Sequence, residues 1–154
     1  MSNNAQNTEV LNDLIQINND RIKGYETALG ELKDENNDLR TVFAEMIRQS
    51  QGMKSDLINK VQVLGEESAT GTTTAGKIYR TWMDVKAVFT GHDRAAVLSN
   101  CHTGEDAAQK AYQSALETEG LSTDLSGLIT KQKTELKVSH DAIKIMMEGA
   151  KAVN

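Results

Sequence analysis

Glu105 stands in the middle of an apolar helical stripe. At ~100° per residue, Leu98, Cys101, Ala108, Tyr112, Ala115 and Leu116 fill one sector of a helix, and Glu105 projects from its centre. An ionised carboxylate in a helix interface has to be paired, protonated or metal-bound, because leaving it bare costs several kcal/mol or shifts its pKa. Arg21 or Lys23 is the kind of basic group that pairs it from a neighbouring helix. Tyr25, Asn18 or Ser50 would hydrogen-bond it instead.

Metal chemistry sets a stricter requirement. A di-iron carboxylate bundle takes a Glu from each of two helices and a Glu-x-x-His pair from each of the other two. Here Glu45 is followed three residues later by Arg48, Gln49 by Gly52 and Glu135 by Val138. Both histidines are missing, so the ordinary site cannot be built. His140 lies five residues after Glu135, ~140° around the helix from it, which makes the two poor joint ligands. Its plainer reading is a boundary histidine hydrogen-bonded to a neighbouring helix. His102, beside Cys101, and His92, in a turn, are not expected to bind metal. A non-standard site remains conceivable around Glu105 with Glu26, Glu135 or His140, taking iron or another divalent ion. No catalytic residue or cofactor is expected.

Glu105 has inward-facing polar company at the same height. Asn18, Ser50, Gln132 and Ser139 each fall within about one turn of the midpoint of their helix. With Glu105 they form a buried polar layer, which lowers stability unless every member is satisfied but fixes helix register. Either that, with a few buried waters, or the remnant of a metal site would explain it.

The elements that position these residues are helices. The 154 residues contain no proline and only 4% aromatics, with 38% hydrophobic content, so nothing interrupts a helical ladder and few residues favour strands. A chain of this length buries roughly 70% of its unfolded surface in one domain. Residues 1–7 are expected to be a disordered tail and 8–150 the domain, with Asn7 or Thr8 as the first cap. Leu11, Leu14, Asn18, Ile22, Tyr25, Leu29 and Leu32 line the first helix, and a tight polar connection over 33–38 leads to an antiparallel neighbour. Leu39, Val42, Met46, Ser50, Met53, Leu57, Val61 and Leu64 line the second, which ends near Gly65. Asp93 caps the third long helix and Ser122 or Thr123 the fourth.

Between the two hairpins lies a connection over about 65–92. It holds a Thr-, Ser- and Gly-rich loop at 66–76, of no assigned role, and a short amphipathic stretch carrying Ile78, Trp82, Val85 and Phe89. A link this long traverses the bundle, making the second and third long helices parallel as in ferritin-like folds. The expectation is therefore all-α, a ferritin-like four-helix bundle whose crossover contains a short helix. An up-and-down bundle with a decorated middle loop is the alternative.

Net charge is −5, and no basic cluster interleaved with aromatics occurs, which argues against nucleic acid. No apolar run fits a signal peptide or membrane span, so a cytoplasmic protein is expected. Cys101 reads as a small buried hydrophobe. Gly24, Gly52 and Gly104 interrupt helices at ~1 kcal/mol each, which suggests close backbone approach by the crossover or a second subunit.

Lys23-Gly24-Tyr25, Trp82, Cys101, Gly104-Glu105-Asp106-Ala107-Ala108, Lys110-Ala111-Tyr112 and His140-Asp141 together resemble a family of small bacterial proteins. That family is a four-helix-bundle domain of unknown function in the ferritin-like superfamily. The resemblance spans about Val10 to Met147 and implies the crossover bundle without an activity. Where the family carries Glu followed by Arg, this chain has Gln49 and Ser50, which weakens a carboxylate-rich site further. A non-enzymatic structural, interaction or stress-related role is expected, with homo-oligomerisation as a means of covering the crossover helix. A metal-binding or oxidative role around Glu105 is the alternative.

Overall fold

The computed structural model describes residues 3–66, 68, 75–85 and 91–153. Among them run five helices and no strand: α1 (Asn3–Glu31), α2 (Asn37–Val63), α3 (Lys77–Val85), α4 (Arg94–Leu116) and α5 (Thr123–Ala152). Caps mark several of the ends. Past α2, Gly65 takes a φ of 77°, and the Glu66 N–H donates to the Val61 carbonyl at 3.2 Å, closing the helix with a six-to-one bond. Asp93 Oδ1 accepts the Ala96 N–H at 2.8 Å and Ser122 Oγ the Leu125 N–H at 3.2 Å, so α4 and α5 begin on side-chain caps.

The expected tail over 1–7 gives way, from Asn3 onward, to the first turns of α1. Neither Asn7 nor Thr8 is a cap. Asn7 is buried, and tertiary packing of that turn supplies what the polar sequence lacks as an isolated helix.

Polar contacts at the ends fix the topology. Arg94 donates to Asp38 at 3.0 and 2.7 Å, and His92 meets Glu31, so α4 starts beside the end of α1 and the start of α2. Lys60 Nζ reaches Asp124 Oδ2 at 2.7 Å, placing the end of α2 beside the start of α5. Hence α2 and α4 are parallel and the link between them spans the bundle, which removes the up-and-down alternative.

The crossover helix α3 lies against α1 and α4. Asp13 of α1 accepts from the Gly76 N–H at 2.9 Å and the Tyr79 N–H at 3.1 Å, capping α3 from another helix. Gly76 leaves room for that contact, since a Cβ would displace the Asp13 carboxylate and Glu9 Cγ. Ile78 and Trp82 face inward whereas Val85 is exposed. Phe89 and most of the 66–76 loop lie outside the described residues.

With α2, α3 and α4 all packed on it, α1 is buried on every side from Val10 to Asn18. The apolar interior falls into two clusters. One joins Leu14, Leu57, Trp82, Tyr112 and Ile129; the other joins Tyr25, Phe43, Leu98 and Ile143. Polar side chains lie between them.

Candidate functional site

Every helix except α3 contributes to this mid-height layer. Asn18 and Arg21 come from α1, Ser50 from α2, Glu105 from α4, and Gln132 and Ser139 from α5, all buried. Arg21 Nε donates to Glu105 Oε1 at 2.9 Å, and its Nη1 donates to Ser50 Oγ at 2.8 Å and the Met46 carbonyl at 3.3 Å. Tyr25 OH donates to the same Glu105 oxygen at 2.5 Å. Glu105 is thus ion-paired and hydrogen-bonded at once. Lys23 is exposed.

A second chain of bonds runs from Asn18 Nδ2 to Tyr112 OH at 3.0 Å, from Tyr112 OH to Gln132 Oε1 at 2.7 Å, and from Gln132 Nε2 to the Met53 carbonyl at 3.1 Å. Ser139 stands apart and donates to Gln49 Oε1 at 3.1 Å.

Burial and the charge of Glu105 oppose each other at Arg21 and reinforce each other at Tyr25 and Cys101, and all three are raised. Burial disfavours the Arg21 cation, but the adjacent carboxylate outweighs that and raises its pKa. Burial, and then the negative charge of Glu105, push Tyr25 well above its ordinary value. The same two causes push the Cys101 thiol up to about 12. This buried cysteine is a neutral apolar filler at physiological pH.

Beside the layer is a cavity of about 240 Å³, which Arg21, Tyr25, Trp82, Cys101 and Glu105 help to line. Gly24 and Gly104 also line it, and a Cβ at either would meet nothing within 4 Å. The same is true at Gly52. Among the described residues nothing approaches these three glycines closely, and two of them border the cavity. Glu105 Oε2 is buried and has no hydrogen-bond partner among the described residues.

A different cluster lies on the α4–α5 edge. His140 Nε2 is 2.6 Å from Asp106 Oδ1 and its Nδ1 is 2.9 Å from Asp141 Oδ1, so it contacts the neighbouring helix as a boundary histidine. His102 approaches the same Asp106 oxygen at 4.0 Å. The sequence places His102 off the apolar stripe, where it is not expected to be a ligand, and singles out Asp106 only within the family resemblance. Their four-residue spacing on α4 was readable, but the register that brings His140 opposite them was not.

The family profile described as "Domain of unknown function (DUF2383)" matches residues 6–118, well over half of the chain. The chain belongs to this family. Among solved structures, this DUF2383 chain is similar to a Dps1 mutant from Mycobacterium smegmatis, with a TM-score of 0.81 and 10% identity over 96% of this chain and 99% of that one. It is also similar to a structure titled as ferritin like, diiron-carboxylate proteins from Bacillus anthracis str. Ames, with a TM-score of 0.63 and 19% identity over 99% of each chain. At such identities the likeness establishes the fold, a ferritin-like bundle. No curated protein matches the sequence.

The mid-height residues of this DUF2383 bundle do not fit a pair of iron ions. Such a centre draws carboxylates from all four helices and histidines from two. Here Glu105 is the one carboxylate in the buried layer, and one of its oxygens is already shared by a guanidinium and a phenol. Glu26 and Glu135 are exposed. His140 joins His102 and Asp106 rather than Glu105.

Proposed function

We propose that this DUF2383 bundle has a non-enzymatic role, structural, interaction-based or stress-related, with its interior organised by an internal cation. The observation that supports this is the Arg21 guanidinium, which lies against Glu105 at 2.9 Å at the level where a di-iron bundle gathers its metal ligands. A positive side chain there satisfies the buried carboxylate and opposes a second positive charge. Self-association belongs to the same reading, since Met83 and Val85 on α3 are exposed. A metal or oxidative role around Glu105 is the competing reading; it draws support from the unpartnered Oε2 beside the cavity. No helix among the described residues is long and apolar enough to cross a membrane.

Aerobic oxidation of added ferrous iron separates the two. With untagged protein purified without chelator, the reading predicts no acceleration over buffer and a metal content that Glu105→Gln leaves unchanged. Iron oxidation that Glu105→Gln abolishes would overturn it.

A further inference from the structure

We propose that His102, Asp106 and His140 form a binding site for a divalent first-row transition ion, with zinc as the best-suited occupant, on the edge between α4 and α5. Two imidazoles and one carboxylate are the donor set for such ions rather than for calcium or magnesium, which take oxygen ligands. Among the described residues, this is the one group of three metal-ligating side chains whose donor atoms converge, all within 4.8 Å of one another. It shares no residue with the interior layer and does not depend on the function proposed above.

The geometry needs little adjustment. Zinc bonds of ~2.0–2.2 Å in a tetrahedral arrangement put ligand atoms roughly 3.3 Å apart. The His140–Asp106 contact of 2.6 Å would open, and the His102–Asp106 contact of 4.0 Å would close, by about 0.7 Å each on that geometry. The imidazole rings already stand 5.2 Å apart. All three side chains are partly exposed, so an ion can enter and water can complete its shell.

An outer carboxylate supports the assignment. Asp141 Oδ1 lies 2.9 Å from His140 Nδ1 and accepts its N–H, leaving Nε2 to face the ion, which is how metal-bound histidines are oriented. Lys137 holds Asp141 in turn at 2.7 and 2.8 Å. Imidazole binds the ion in its neutral form, so affinity falls as pH falls.

The test titrates zinc, and cobalt as its optical stand-in, into the full untagged chain. The expected result is one ion per chain, ligand-field bands from cobalt, loss of binding in His102→Gln and His140→Gln, and roughly 10- to 100-fold weakening in Asp141→Asn. Glu105→Gln should bind as the wild type does, which keeps this site distinct from any ion held in the interior. In the wild-type chain, zinc should shift the ring NMR signals of His102 and His140 and leave those of His92 in place. Absence of binding, binding indifferent to both histidine substitutions, or shifts confined to His92 would overturn the proposal.

Discussion

Tyr25 and Arg21 converge on one oxygen of Glu105, and the way burial acts on each of them has a measurable consequence. The chain has three tyrosines, and all three are displaced upward. Burial raises Tyr25, reinforced by Glu105; burial raises Tyr79, reinforced by its bond to Asp20; burial raises Tyr112. A phenol whose folded pKa exceeds its unfolded one contributes stability that is complete below the unfolded value and is lost as pH rises through the folded value. Alkaline spectrophotometric titration should therefore show little tyrosinate near the ordinary value of 10.0, followed by a rise that coincides with unfolding. A normal titration curve with the far-ultraviolet helix signal intact would contradict the buried placement of these rings.

At the level of elements, two of the contacts that hold the crossover can be tested singly. Trp82 is buried, and its indole N–H donates to Asp20 Oδ2 at 3.0 Å, so Trp82→Ala should cost roughly 3 kcal/mol in urea unfolding. Gly76→Ala should cost about 1 kcal/mol by displacing the Asp13 cap. Melting temperatures that match the wild type would place α3 off the bundle. The existence of this short helix, and the link that carries it across, could be read from periodicity and connection length. The start of α1 could not, because its first turns rest on packing rather than on a capping signal. Arg21 is a similar case. It was one of several candidate partners for Glu105, and choosing among them needed the knowledge that α1 is enclosed by three neighbours. His102, set aside as a ligand on sequence grounds, and Asp106 meet His140 only through the register between α4 and α5, which no single-helix pattern encodes.

Considered as a whole molecule, the bundle holds two apolar clusters on either side of a polar floor. Removing one partner of a buried ion pair strands the other, at about 3–5 kcal/mol, whereas removing both together is often close to neutral. Arg21→Met and Glu105→Leu should each destabilise on that scale, and the double variant should be more stable than either single one. Additive losses in the double-variant cycle would show that the two side chains act independently. The cap on α3 has a further consequence, for the order of assembly. A nine-residue helix is too short to persist alone in water, and its cap comes from a residue 63 positions earlier in the chain. Nucleation is therefore expected in the two antiparallel pairs, and amide exchange should be faster in α3 than in the long helices it lies against.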